Sequence, residues 1–134
     1  MVFQLLSLRT GARLGGCNSR IVHKITNRTI VTTLSDEKAV EKFRLINAKS
    51  VLYFTASWCP PCKQISPIYD KMSDEYPSIA FGKVDVDENS DAALDFEVNA
   101  VPTFVVFDGE TATAKFSGAD PNKLLNYVKE LDAK

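Results

Sequence analysis

No stretch of this 134-residue sequence approaches the roughly 20 consecutive apolar residues that a membrane-spanning helix needs, so insertion into a bilayer is not expected. Cysteine and histidine are scarce. Three cysteines are too few for a disulfide framework, and beyond Cys17 and His23 only Cys59 and Cys62 remain, two ligands short of a structural zinc site. Acid is missing from residues 1–33, which carry Arg9, Arg13, Arg20, Lys24 and Arg28 for a net +5 without His23. Residues 34–134 instead set 11 Lys and Arg against 17 Asp and Glu, a net of −6. Repeats and low-complexity linkers are also absent. At 45% apolar content, what remains is one ordinary globular domain.

The acid-free segment reads as an organelle transit peptide over residues 1–28, removed by cleavage at a boundary anywhere from 20 to 33. Its Phe3, Leu6 and Leu8 alternate with Arg9 and Arg13, which would suit an amphipathic stretch but interrupt the apolar core that a secretory signal requires. The mitochondrial matrix is the first expected destination and a plastid the second. A disordered basic arm that holds nucleic acid or an anionic surface is a third reading. Cys17 and His23 would be lost with the leader. Thr29 to Thr33 is β-branched enough to begin the folded domain, which is therefore drawn over 29–134.

Within that domain the informative feature is the run Trp58-Cys59-Pro60-Pro61-Cys62. The residues before it, 51–55, make a short apolar run of strand character, and Ile65, Ile68, Met72 and Tyr76 after it recur at helical spacing. Cys59 then stands at a helix entrance. Unpaired N–H groups and the positive end of the macrodipole favour an anion there, so the thiol ionises more readily, and the thiolate is the reactive form. Pro60 and Pro61 suit the first turn, and Cys62 follows closely enough for its sulfur to reach that of Cys59. Pro67 lies deeper, removes one ladder bond and should kink the helix. A redox dithiol is the leading reading. Half of a zinc site, a structural disulfide closing a tiny loop, and an inert buried pair are the alternatives.

Strands and helices alternate around the motif. Ser35 caps a helix with Ala39, Phe43 and Ile46 on its buried side. Residues 79–86 form a strand, and Asn89 or Ser90 caps a short helix containing Ala93, Leu94 and Phe96. Residues 103–107 and 111–116 make an antiparallel hairpin about Asp108-Gly109. Asp120 caps, and Pro121 opens, a last helix with Leu124, Leu125, Val128 and Leu131 inward. The order βαβαβαββα predicts an α/β domain with a mixed sheet and helices on both faces.

Four separated motifs occur in the order found in thioredoxins: Trp58-Cys59-Pro60-Pro61-Cys62-Lys63, Lys83-Val84-Asp85-Val86-Asp87, Val101-Pro102-Thr103 and Gly118-Ala119. Residues 29–134 resemble that family throughout and, with the leader, are most similar to its mitochondrial members, the plant o-type among them. The resemblance implies the thioredoxin fold and a protein-disulfide reductase cycling between a Cys59–Cys62 disulfide and a dithiol, with Cys59 as nucleophile and Cys62 as resolving thiol. Trp58, Pro60, Pro61, Lys83 and Asp87 would support the site, Asp87 by accepting the Trp58 indole N–H. Val101, a cis Pro102, Gly118 and Ala119 would receive an extended segment of the target. The resemblance further implies no bound cofactor or metal, electrons from NADPH through a flavin-dependent thioredoxin reductase, and disulfide-containing targets such as peroxiredoxins. It implies a monomer without a nucleic-acid partner. A dedicated peroxiredoxin reductant, a net oxidant or isomerase, and a redox-inert thioredoxin-like binding module are the other readings.

Two positions depart from the family's common pattern. Pro60 stands where Gly is usual, which removes a backbone donor near the sulfurs while stiffening the turn, two effects that oppose each other in the redox potential. Tyr53 stands where many thioredoxins bury an acid beneath the dithiol. A phenol with an ordinary pKa of about 10 is a poor base at neutral pH. The proton then leaves by water or Lys83, and Tyr53 itself reads best as a packed aromatic whose hydroxyl is satisfied.

Overall fold

The computed structural model describes residues 31–134, so the expected leader at 1–28 and Thr29 and Ile30 of the expected first strand lie outside the described residues. The elements are β1 (Val31–Thr33), α1 (Glu37–Ile46), β2 (Lys49–Thr55), α2 (Pro60–Glu75), β3 (Ala80–Asp85), α3 (Ser90–Asp95), β4 (Thr103–Asp108), β5 (Thr111–Ser117) and α4 (Pro121–Asp132). That is the predicted βαβαβαββα order. The strands form one mixed sheet, β1-β3-β2-β4-β5, in which β1, β3 and β2 are parallel, β4 is antiparallel to β2, and β5 is antiparallel to β4.

β2 is central, and every residue from Ser50 to Ala56 is buried. Successive side chains of a strand point to opposite faces. Val51 and Tyr53 therefore join Phe81, Phe104, Val106 and Phe116 on the face packed by Ile65, Tyr69, Leu124 and Val128 of α2 and α4. Leu52 and Phe54 join Val84, Val105 and Phe107 on the other face, against Val40, Phe43 and Ala92 of α1 and α3. This two-sided burial is why the strand reads as an uninterrupted apolar run. Each such fully buried side chain contributes roughly 1.5–3 kcal/mol, so β2 is the best-anchored element of the sheet.

Local chemistry sets the helix ends, with some differences from the expected ones. α1 is capped by Asp36 rather than Ser35, its Oδ1 accepting from Ala39 N at 2.7 Å. The buried residues of α1 are Val40 and Phe43, while Ile46 is 68% exposed. At 3.6 residues per turn Ile46 lies roughly 90° from the middle of the Val40–Phe43 face, off the sheet. In α2 the buried stripe includes Tyr69, whose hydroxyl donates to the carbonyls of Val51 and Gly82, and Ile68 and Tyr76 are only half-buried. Pro67 sits inside α2, which runs on past it. Asn89 caps α3, whose buried residue is Ala92; Leu94 is exposed on the opposite side, and Phe96 packs on Phe54 and Phe107 just beyond the helix end. The hairpin and α4 are as expected, with Asp120 Oδ1 accepting from Asn122 N and Lys123 N and with Leu124, Val128 and Leu131 buried. Leu125 is half-buried.

Gly82 is where the two-sided packing leaves least room. A Cβ there would stand 2.9 Å from Leu34 Cδ1, 3.0 Å from Phe43 Cε1 and 3.1 Å from Leu52 Cδ2. Gly82→Ala should therefore destabilise the domain by about 1–3 kcal/mol, the range for overpacking a filled core. A urea unfolding midpoint at or above the parent's would show instead that the α1 face adapts freely.

Candidate active site

β2 delivers the chain to the edge of the sheet at Thr55, and three residues later Cys59 caps α2. Pro60 and Pro61 take the first two helical positions and have no N–H to offer. The first backbone donor of the helix is therefore that of Cys62, and it points at Cys59 Sγ at 3.3 Å. Cys59 and Cys62 are joined as a disulfide, with Cα atoms 5.3 Å apart, and both are almost fully buried. A charge on Cys59 would meet the Cys62 N–H and the positive end of a 16-residue helix with no acidic residue in its first turn.

The other predicted site residues come from three further segments. The Val101–Pro102 bond is cis, and the carbonyl of Val101 lies 3.7 Å from Cys59 Sγ, within reach of a thiol proton once the disulfide is reduced. Gly118 N donates to Pro102 O at 2.9 Å, and Gly118 adopts φ +107°, a conformation that favours glycine. Ala119 packs on the same cluster as the two cysteines. Trp58 is 65% exposed beside the dithiol and donates its indole N–H to Asp87 Oδ2 at 2.8 Å. Trp58, Cys59, Cys62, Asp87, Val101, Pro102, Gly118 and Ala119 thus converge on one end of the sheet, whereas Pro60 and Pro61 form its exposed first turn. Lys83 is set lower, in a cleft shared with Cys62.

Tyr53 lies beneath the disulfide as a packed aromatic. Its ring stacks on Phe104, its hydroxyl donates to Cys62 O at 2.9 Å, and the same oxygen is 3.1 Å from Ser66 Oγ. Ser66 and Asp85, which line the Cys62 cleft with Lys83, carried no role in the sequence reading. The signal for Asp85 is its spacing of two from Lys83, which puts both on one face of β3, but only the register of β3 against Tyr53 and Thr55 aims that face at the site. Among the described residues no group of three or more His, Cys, Asp or Glu is placed to hold a metal, and no helix is long and apolar enough to cross a membrane.

A disulfide that caps a helix, beside a cis-proline and an exposed indole, defines a thiol–disulfide oxidoreductase. Comparison with known proteins narrows the class. The Thioredoxin family profile matches residues 30–130. The mitochondrial Thioredoxin-3 of Saccharomyces cerevisiae is 38% identical over 112 residues, covering 84% of this chain and 86% of its own length. The mitochondrial Thioredoxin O1 of Arabidopsis thaliana is 37% identical over 107 residues, 76% of this chain and 55% of its own. The oxidised crystal structure of the yeast mitochondrial protein superposes with a TM-score of 0.74 at 37% identity, covering 79% of this chain and 100% of that one. The chain belongs to the thioredoxin family, and its activity is that of a protein-disulfide reductase.

One carboxyl near the site is perturbed. Burial holds Asp70 above its ordinary value of 3.8, against the opposing pull of the Lys83 ammonium and with help from the Asp74 charge. A carboxyl raised in the folded state binds its proton more tightly there than in the unfolded chain. Stability therefore falls as pH rises from the ordinary carboxylate value through the folded one, and stays lower above it. Asp70→Asn should accordingly raise the urea midpoint at pH 7, and the gain should vanish by about pH 3, where both states are protonated. A gain of equal size at both pH values would point to packing rather than charge.

Proposed function

We propose that Cys59 attacks the target disulfide and Cys62 resolves the product. Cys59, held as a thiolate, attacks one sulfur of the target, and the target's other sulfur leaves as a thiolate and takes up a proton. Cys62 then loses its proton and attacks Cys59 Sγ. The bond from Cys59 to the target sulfur breaks, the target leaves as a dithiol, and the Cys59–Cys62 disulfide re-forms. The observation that carries this assignment is the position of Cys59 Sγ between the N–H of Cys62 and the carbonyl of Val101. Cys62 sits in the first turn with its carbonyl engaged by Tyr53.

The remaining roles belong to the same proposal. Trp58, oriented by Asp87, flanks the sulfurs; Pro60 and Pro61 restrict the donors that reach them; and Lys83 supplies a cation beneath. Val101, Pro102, Gly118 and Ala119 form the strip that receives an extended target segment. Electrons come from NADPH through a flavin-dependent thioredoxin reductase, with no cofactor bound to this chain, and peroxiredoxins are among the targets. Residues 1–28 address a monomeric domain, 29–134, to the mitochondrial matrix, a reading supported by the basic, acid-free N-terminus and by the mitochondrial relatives.

Insulin-disulfide reduction by the full chain, driven by NADPH and thioredoxin reductase, tests the assignment. Turnover should fall to background in both Cys59→Ser and Cys62→Ser, and only Cys62→Ser should accumulate a mixed disulfide with the target. Accumulation in Cys59→Ser instead would reverse the roles.

A further inference from the structure

Cys62 needs an acceptor for its proton, and Tyr53 is not built to be one. The phenol's single proton goes to Cys62 O, so at the contact with Ser66 the tyrosine oxygen accepts and the Ser66 hydroxyl donates. The lone pairs of Ser66 Oγ are thereby left to accept from elsewhere. Ser66 lines a cleft of about 190 Å³ with Cys62, Lys83 and Asp85, room for several waters, and its rim includes the exposed Ser57 and Lys63. Asp85 faces this cleft because β3 pairs with β2 in the register Tyr53 to Lys83 and Thr55 to Asp85. Its Oδ1 caps the turn that follows, accepting from Asp87 N at 2.8 Å and Glu88 N at 3.4 Å, so neither of these hydrogen bonds uses Oδ2.

We propose that Asp85 is the acceptor of the Cys62 proton, reached through a water that Ser66 holds in this cleft. The inference rests on the assignment of Cys62 as the resolving thiol. The water accepts from Cys62 S–H and donates to Ser66 Oγ and Asp85 Oδ2. As Cys62 Sγ bonds to Cys59 Sγ and the bond from Cys59 to the target sulfur breaks, the thiol proton passes to the water and the water's own proton passes to Asp85. The departing target thiolate is protonated by solvent. Lys83, as an ammonium, has no lone pair and serves as counter-charge to Asp85 and Asp70. The charged groups about the cleft are Lys63 and Asp70 from α2 and Lys83 and Asp85 from β3, with Asp87 and Glu88 in the turn after it; β2 contributes the neutral Tyr53.

Charge and proton transfer predict opposite results for Asp85→Asn, which keeps the Oδ1 cap. Removing a nearby negative charge favours the Cys62 thiolate and would speed resolution, whereas removing a base slows it. The reduced full-length protein, mixed with 5,5′-dithiobis(2-nitrobenzoate) in a stopped-flow instrument, releases one thionitrobenzoate in a bimolecular phase and a second in a unimolecular phase, the latter reporting Cys62. In Asp85→Asn the second phase should slow by about 10²-fold relative to the first, the low end of what a positioned base supplies. It should also rise tenfold per pH unit below the thiol pKa, where the parent profile is flatter. Ser66→Ala should slow the same phase less. The inference is overturned if Asp85→Asn leaves the second phase and its pH profile unchanged, if it speeds that phase, if it slows both phases equally, or if Lys83→Met alone slows it. Loss of the first release in Cys62→Ser would instead sink the assignment of the two thiols.

Discussion

The site hangs on β2, a strand gripped on both faces and on both edges. Its side chains are shared between the α2–α4 face and the α1–α3 face, and its backbone is paired with β3 on one side and β4 on the other. A strand so held cannot slip by one residue without turning every apolar side chain to the wrong face. Its end therefore sets where α2 begins and where Cys59 stands. The antiparallel register that pairs Phe54 with Thr103 puts the start of β4, and with it Val101 and Pro102, beside the helix entrance. Dithiol and cis-proline meet because one strand positions both.

Around that scaffold, several polar groups of the site have specific hydrogen-bond partners. With Pro60 and Pro61 in the first turn, Cys62 N–H is the first backbone donor aimed at Cys59 Sγ, so stabilisation of a thiolate there rests on one hydrogen bond and the helix end. Tyr53 fills apolar space beneath the disulfide and ties its hydroxyl to the carbonyl of Cys62 and to Ser66, fixing the second turn of α2 to the sheet. At the edge of the sheet, Lys83 and Asp85 of the neighbouring strand β3 line the same cleft as Cys62 and Ser66. Thr103 and Ser117, hydrogen-bonded at 2.8 Å, brace the ends of β4 and β5 under the cis-proline and Gly118.

Much of this was legible along the chain. The run 51–55, the two cysteines, the hairpin about Asp108-Gly109 and the Asp120-Pro121 helix start are signalled by residues a few positions apart, and each stands where expected. The misplaced details share a cause. Ser35 and Asp36 are both competent caps, and only the fit of Val40 and Phe43 against Leu52 and Phe54 chooses between them. Ile46 and Leu94 are apolar yet exposed, because α1 and α3 are short and present a narrow strip to the sheet. Tyr69 is buried with its hydroxyl satisfied by two strands, at Val51 and Gly82, partners that no local spacing along α2 signals.

By itself the sequence determined the elements, their order, most caps and the kind of chemistry, since periodicity, capping and the placement of two thiols at a helix start act over a handful of residues. The tertiary structure alone decided what those thiols face. Cys59 meets a carbonyl 42 residues away, Trp58 a carboxylate 29 away, and Cys62 a cleft walled by β3. These encounters follow from strand register and two-sided core packing, which are properties of the whole folded sheet that no local pattern encodes.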